Sequence, residues 1–199
     1  MLSRRVDAIV IGASAGGIEA LGRLLPALPA DLGVPVVIVV HLPPQRPSLL
    51  VAIFAPRCAL PIREPQDKEP LAPGHIYFAP PDYHLLIERD RTFALSVEEP
   101  VHFSRPSIDV LLESAAEVYG ARLLAIVLTG ASRDGAHGAE RVRRAGGLVA
   151  VQDPNSAEAQ VMPLAAIERA RPQLIGRLPE LASFAVRAAQ DGIEHEQGR

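Results

Sequence analysis

The feature that most constrains this chain is the alternation of short, β-branched apolar runs with segments of helical periodicity. Apolar runs at residues 6–11, 34–40, 123–128 and 148–151 predict buried strands. Apolar residues at helical spacing predict helices over residues 16–28, 45–55, 106–119, 135–145, 162–170 and 178–189. Such alternation predicts an α/β protein with a doubly wound, mainly parallel sheet in a three-layer α/β/α arrangement.

The middle of the chain departs from this alternation. Three short runs at residues 75–79, 84–88 and 93–97 are joined by turn residues, which predicts an antiparallel β-hairpin extension of the sheet. A chain of 199 residues suits one domain. We therefore expect one domain over residues 1–190 and a polar C-terminal tail over residues 191–199.

Composition excludes several functional classes. The 20 Lys and Arg residues against 23 Asp and Glu residues form no basic stripe, which argues against nucleic-acid binding. The longest apolar runs are about seven residues, too short to cross a bilayer, and the first residues lack the pattern of a signal peptide. A single cysteine, Cys58, excludes an intrachain disulfide. We expect a cytoplasmic protein without membrane insertion.

Ligands of doubly wound sheets bind at the carboxyl ends of the strands, so the residues that follow each strand are the candidates for chemistry. Ser14 follows the first strand, His41 the second, and Asp134 lies in the loop after the third. Ser14 stands in a Gly12-x-Ser14-x-Gly16 pattern, typical of a nucleophile elbow. The alternative is a phosphate-binding or dinucleotide turn, but Ser14 replaces the middle glycine of G-x-G-x-x-G and no P-loop is present.

These three residues suggest acid–base and nucleophilic chemistry. A neutral His41 could act as general base on Ser14, and Asp134 could hold the imidazole Nδ1–H. The Thr129-Gly130-Ala131 segment could supply a backbone N–H to an oxyanion hole. Asp134 could instead be a helix N-cap, or join His41 and His137 in a metal site. Weaker candidates for the base are His75, His84, His102, His137 and His195.

Three segments surround the candidate residues: Ile11-Gly12-Ala13-Ser14-Ala15-Gly16-Gly17, Val40-His41-Leu42-Pro43 and Leu128-Thr129-Gly130-x-x-x-Asp134-Gly135-Ala136-x-Gly138. Four more motifs follow the same pattern: Tyr77-x-Ala79-Pro80-x-Asp82-Tyr83-His84-Leu85, Arg105-Pro106-Ser107-x-Asp109, Gln152-Asp153-Pro154-x-x-Ala157 and Met162-Pro163-x-Ala165-Ala166. This ordered set, spread over residues 6–190, resembles the catalytic domain of the CheB chemotaxis methylesterases.

The resemblance implies a serine hydrolase that removes methyl groups from glutamate γ-methyl esters on chemoreceptor cytoplasmic domains, releasing methanol. The family also deamidates receptor glutamines, and the resemblance implies neither a cofactor nor a metal. Methyl-accepting chemotaxis receptors are the expected partners. Carried over by motif, Ser14 is the nucleophile, His41 the base and acid, and Asp134 the orienting carboxylate. Backbone N–H groups near Ala15 and Ala131 are expected at the oxyanion, with weaker cleft candidates at Arg105, Thr129, Arg133 and Met162.

Two departures from the family pattern stand out. Ala131 occupies a position where the family usually carries methionine, which affects the expected pocket shape. Only five residues precede the first predicted strand, whereas typical members carry an N-terminal receiver domain. We therefore expect a stand-alone esterase, one regulated by a separate receiver or regulator protein, or an excised catalytic domain. Alternative functions are a catalytically idle receptor-binding module and a nucleotide-binding regulator.

Overall fold

The structure is a computed structural model that describes residues 5–42 and 48–193. The strands of this part of the chain are β1 (Ala8–Ala13), β2 (Val36–Val40), β3 (Ile62–Arg63), β4 (Ile76–Phe78), β5 (His84–Ile87), β6 (Phe93–Ser96), β7 (Leu123–Val127), β8 (Leu148–Gln152) and β9 (Leu174–Gly176). The α-helices are α1 (Gly17–Leu24), α2 (Leu50–Phe54), α3 (Ile108–Tyr119), α4 (Ala136–Arg144), α5 (Val161–Ala170) and α6 (Leu178–Gln190).

Seven strands form one parallel sheet in the order β3-β4-β2-β1-β7-β8-β9. Residues of β1, β2 and β7 are buried on both faces, which explains their continuous apolar runs. One apolar core lies between the sheet and α1, α2 and α6, and the second lies between the opposite face and α3, α4 and α5. This arrangement confirms the predicted three-layer α/β/α fold.

The predicted hairpin forms, but its relation to the sheet differs from the expected extension. Strands β5 and β6 pair antiparallel in a two-stranded sheet of their own, and the run at residues 75–79 instead contributes β4, parallel to β2. Leu85, Ile87 and Phe93 are buried in the core that contains α3. The hairpin therefore lies over a helical layer because its apolar residues pack against α3.

Several boundaries differ from those that periodicity predicts. The short edge strands β3 and β9 were not expected from the sequence, and the helix expected over residues 45–55 is observed as α2. Residues 45–47 of that prediction, Pro43 of the second family motif, and residues 194–199 of the predicted tail, including His195, lie outside the described residues. Among the helices of the described ranges, none has the length and apolarity to cross a bilayer.

Candidate active site

Ser14 and His41 emerge side by side at the carboxyl edge of the sheet. The register of β1 and β2 pairs Ala13 with Val40, and the next residues are Ser14 and His41. The His41 amide donates to the Ala13 carbonyl at 3.1 Å. Neighbouring strands lie about 4.8 Å apart, so the backbones of Ser14 and His41 are adjacent and their side chains start from neighbouring positions. Both line a cavity of about 600 Å³.

A tight turn places Ser14 directly before α1. Gly16 has a φ of 75°, in the left-handed region that favours glycine. A Cβ on Gly16 would also lie 2.7 Å from Glu158 Cβ. The Ser14 amide donates to the Thr129 carbonyl at 3.0 Å, which ties this turn to the loop after β7. The glycine thus allows the chain to reverse beside the serine, as the Gly12-x-Ser14-x-Gly16 pattern predicted.

His41 forms a hydrogen bond with Asp134. The distance between His41 Nε2 and Asp134 Oδ2 is 2.8 Å, the imidazole is 12% exposed and the carboxylate is fully buried. The expectation that Nδ1 would face the aspartate was therefore wrong, because the ring presents Nε2 instead. The second nitrogen, Nδ1, lies 3.5 Å from Ser104 Oγ.

The Asp134 carboxylate accepts hydrogen bonds from the start of α3. Oδ1 accepts from Ser107 Oγ and the Asp109 amide, both at 2.9 Å, and Oδ2 accepts from the Ile108 amide at 2.7 Å. The Gly135 amide also donates to Oδ1 at 3.0 Å. The helix that follows, α4, begins after Gly135 without a side-chain cap. Asp134 is therefore not the N-cap of its own helix, and it binds the free amides of α3 instead.

These hydrogen bonds determine the charge of Asp134. Burial is the largest influence on its pKa and raises it, but the hydrogen bonds from His41 and from the Asp109 and Ile108 amides together outweigh burial, so the pKa lies below its ordinary value. The carboxylate is therefore ionised at neutral pH and acts as an acceptor only. His41 Nε2 is consequently the donor in this contact, so in the neutral imidazole the lone pair is on Nδ1.

A second buried carboxylate lies beside Asp134. Asp109 Oδ1 accepts from the Gly138 amide at 2.7 Å, and Oδ2 lies 3.3 Å from His102 Nε2. Burial raises the pKa of Asp109, the Gly138 hydrogen bond opposes this, and the charge of Asp134 adds to the increase.

The metal site considered from the sequence is not assembled. Within residues 5–42 and 48–193, the one group of three metal-type ligands is His102, Asp109 and Asp134, whereas His137 is exposed and outside it. Both oxygens of Asp134 already accept hydrogen bonds from N–H or O–H donors. The structure therefore contradicts the alternative metal site of His41, Asp134 and His137.

Two backbone N–H groups in the loops that follow β1 and β7 have no acceptor among the described residues. Ala15 and Ala131 are both exposed, and no described residue accepts a hydrogen bond from the amide of either. The neighbouring Gly130 amide, in contrast, donates to the Ala159 carbonyl at 3.0 Å. Ala15 and Ala131 thus retain the donors that an oxyanion would need.

The other predicted cleft residues occupy different positions. Thr129 is buried, and its Oγ1 donates to the Ala15 carbonyl at 2.8 Å while its amide donates to Gln152 Oε1 at 2.9 Å. Met162 is buried, and a Cβ on Gly130 would lie 2.5 Å from Met162 Cε. Neither lines the cavity that contains Ser14, although Thr129 lines an adjoining one of about 340 Å³.

Two charged cleft candidates also have defined partners. Arg105 lines a third cavity, of about 240 Å³, together with His41, and its Nη1 donates to the Val97 and Glu98 carbonyls at 2.8 and 3.0 Å. Arg133 is exposed and pairs with Glu168 at 3.2 Å. Arg105 thus joins two loops beside the site.

Sequence reasoning gave no positioning role to two residues that hold the site. Ser107 caps α3 and binds Asp134, and its amide donates to His84 Nδ1 at 3.1 Å. His84 is buried, and its Nε2 lies 3.1 Å from the Glu99 carbonyl. His84 and Ser107 both stand in motifs that carry the family resemblance, and Ser107 is also a favourable start for a helix. Both nitrogens of His84 are therefore engaged away from Ser14.

Comparisons with known proteins agree on one family. The model of the CheB methylesterase family matches residues 9–185. A relative in Leptospira interrogans, provisionally named a protein-glutamate methylesterase/protein-glutamine glutaminase, is 46% identical over 188 residues, covering 94% of this chain and 97% of the relative. A protein-glutamate methylesterase/protein-glutamine glutaminase of Trichodesmium erythraeum is 36% identical over 166 residues, which cover 82% of this chain and 47% of the relative.

The comparison with solved structures gives the same result. The crystal structure of the Thermotoga maritima CheB methylesterase catalytic domain has a TM-score of 0.87 at 30% identity, covering 92% of this chain and 98% of that one. The sequence similarity extends along the chain, and it agrees with the strand order and with the edge of the sheet where Ser14 and His41 meet. This protein therefore belongs to the CheB methylesterase family.

Proposed function

We propose that this protein demethylates glutamate γ-methyl esters on the cytoplasmic domains of methyl-accepting chemotaxis receptors and releases methanol. The single observation that carries the proposal is the 2.8 Å contact between His41 Nε2 and a buried, ionised Asp134, beside the strand end that bears Ser14. Family membership supports ester hydrolysis. The names of the relatives support glutamate side chains of proteins as the substrate class.

The acylation step uses the free ring nitrogen. His41 Nδ1 takes the proton of Ser14 Oγ as this oxygen attacks the ester carbonyl carbon. Asp134 accepts the hydrogen bond that His41 Nε2–H donates and stabilises the imidazolium that forms. The Nδ1 proton then passes to the methoxy oxygen, the carbon–oxygen bond to that group breaks, and methanol leaves. A glutamyl ester on Ser14 remains.

The deacylation step reverses these roles. A water molecule gives a proton to His41 Nδ1 and attacks the acyl carbon, and Ser14 Oγ takes the proton back as it leaves. The product is the glutamate carboxylate. In both steps the N–H groups of Ala15 and Ala131 stabilise the oxyanion. A glutamine substrate follows the same path with ammonia as the leaving group, which accounts for glutaminase activity.

The competing proposal is a module that binds receptors without catalysis. Its sequence would not need an ionised, buried carboxylate held by α3 and aimed at a histidine, because burying such a charge is costly unless it is paired. The names of the relatives also do not favour it.

The test measures methanol released from a chemoreceptor cytoplasmic fragment methylated on its glutamates. Wild-type protein should release methanol, and Ser14→Ala should lose activity by several orders of magnitude. The matched control is Ser104→Ala, because Ser104 Oγ also lies near His41 Nδ1, at 3.5 Å. This control should retain most of the activity.

A covalent probe identifies the nucleophile independently. A serine-directed fluorophosphonate should modify Ser14, and mass spectrometry of the digested protein would locate the adduct. Modification of Ser104 in place of Ser14, or methanol release that survives Ser14→Ala, would refute the assignment of the nucleophile. Absence of release by the wild type on this substrate would refute the proposed reaction.

A further inference from the structure

Three exposed apolar side chains surround the open end of the β5–β6 hairpin. Tyr83 is 40% exposed, Val97 68% and Phe103 105%. Tyr83 directly precedes β5 and Val97 directly follows β6, and the register pairs the end residues of these strands, His84 and Ser96. The Val97 carbonyl accepts from Arg105 Nη1 at 2.8 Å, which joins this end of the hairpin to the loop that bears Phe103. We call Tyr83, Val97 and Phe103 the apolar patch.

Phe103 is held in solvent by an unusual turn. The Ser104 amide donates to the Val101 carbonyl at 2.9 Å, and the Val101 amide donates back at 3.1 Å. The residues between them, His102 and Phe103, have φ values of 50° and 62°, a left-handed conformation that bulky residues rarely adopt. The backbone is therefore unfavourable for these residue types, and the phenyl ring gains no burial in return.

The turn contacts the site at two points, through Asp109 beside Asp134 and through His41 itself. His102 Nε2 lies 3.3 Å from Asp109 Oδ2, and Ser104 Oγ lies 3.5 Å from His41 Nδ1. Both contacts fix the position of the turn relative to the site. Phe103 is thus presented from a defined position.

Phe103 connects the patch to the residues that line the Ser14 cavity. The cavity of about 240 Å³ is lined by Phe103 and Ser104, and also by His41 and Leu42. His41 and Leu42 line the larger cavity with Ser14 as well. A substrate segment with its ester at Ser14 that extends past His41 would therefore meet Phe103.

We infer that the apolar patch docks the segment of the protein substrate that carries the methyl ester, by contacting apolar side chains next to the modified glutamate. The inference rests on the proposed function and deepens it. Contiguous exposed apolar groups are typical of interaction surfaces, and aromatic side chains supply much of the binding energy in such contacts. The partner it fits is an amphipathic segment with apolar residues beside the esterified side chain.

Binding measured without turnover tests the inference directly. In the Ser14→Ala background, a fluorescein-labelled, glutamate-methylated chemoreceptor fragment is titrated and its anisotropy recorded. Adding Phe103→Ala should raise Kd about tenfold, with a smaller increase for Val97→Ala. The matched control is Ile175→Ala, because Ile175 is 48% exposed on β9, at the edge of the sheet. Its Kd should not change. An unchanged Kd in Phe103→Ala would overturn the docking surface.

Turnover separates this inference from the proposed function. With the serine intact, Phe103→Ala should raise KM for the methylated fragment about tenfold more than for a small probe, N-acetylglutamate γ-methyl ester. Equal losses on both substrates would overturn docking, because they would show an effect through His41. A concentration-dependent dimer that disappears in Phe103→Ala would assign the patch to self-association and overturn it too. Failure of the wild type to hydrolyse either ester would refute the proposed function, while the anisotropy titration would still decide the docking surface.

Discussion

Replacing Asp134 by asparagine would keep the size of the side chain but exchange one accepting oxygen for a donating NH₂ group. Oδ2 accepts from His41 Nε2 and the Ile108 amide, at 2.8 and 2.7 Å. Oδ1 accepts from Ser107 Oγ and the Asp109 amide, both at 2.9 Å, and from the amide of Gly135. Whichever oxygen is replaced, at least two donors therefore face a group that cannot accept.

The magnitude follows from these contacts. An unsatisfied buried polar group costs about 1–3 kcal/mol, so two of them should lower the free energy of unfolding by about 2–6 kcal/mol. Where the amide NH₂ faces His41, it donates to Nε2 and the ring proton moves to Nδ1. Nδ1 can then no longer accept the proton of Ser14. Loss of the correct tautomer in such a triad lowers kcat by about 10⁴.

The assay combines urea unfolding with methanol release from the methylated fragment, both under conditions where Asp134→Asn is folded. The control is Ser107→Ala, which removes one donor to Asp134 and the cap of α3 but keeps the carboxylate. It should cost about 1 kcal/mol of stability and a much smaller part of kcat. A folded Asp134→Asn protein with kcat within about tenfold of the wild type would refute the role of the charge.

Three other changes have predictable results. The kcat losses of Ser14→Ala and His41→Ala should not add in the double variant, because the proposed mechanism uses the two groups as one unit; additive losses would contradict a shared step. Gly138→Ala should destabilise the fold by about 1–3 kcal/mol in thermal or urea unfolding, since its Cβ would lie 2.4 Å from Leu112 Cβ, whereas an unchanged midpoint would show that α3 and α4 can move apart. The folded pKa of Asp134 is depressed below its unfolded value of about 3.9, so its stabilisation is present above that value and is lost as pH falls through the folded pKa. Urea titrations across acid pH should accordingly show a steeper loss of stability for the wild type than for Asp134→Asn.

The parallel core of the fold could be predicted because burial on both faces leaves a clear pattern. Continuous β-branched runs such as residues 34–40 lack the alternating polar residues of surface strands, which distinguishes the two kinds of strand. The edge strands β3 and β9 have two and three residues, too few to show any period. The hairpin was predicted, but its place over α3 depends on packing between residues distant in sequence.

The site was predictable at the level of strand ends and no further. Ser14 and His41 follow neighbouring parallel strands, so the topology alone brings them together. Which nitrogen of His41 faces Asp134 depends on a side-chain torsion that the sequence does not encode locally. The acceptor role of Asp134 toward α3 depends on the docking of two helices. Thr129 and Met162, predicted for the cleft, have side chains committed to hydrogen bonding and packing within the loop, and neither lines the cavity that contains Ser14.

The position of β2 and β1 as third and fourth strands of seven has a consequence for motion. Amides in such central strands exchange with solvent only through global opening, whereas an exposed turn closed by two backbone hydrogen bonds opens locally at far lower free energy. Hydrogen exchange should therefore be slowest along β1 and β2 and fast at residues 102 and 103. Ser14 and His41 are then anchored to the last part of the molecule to open.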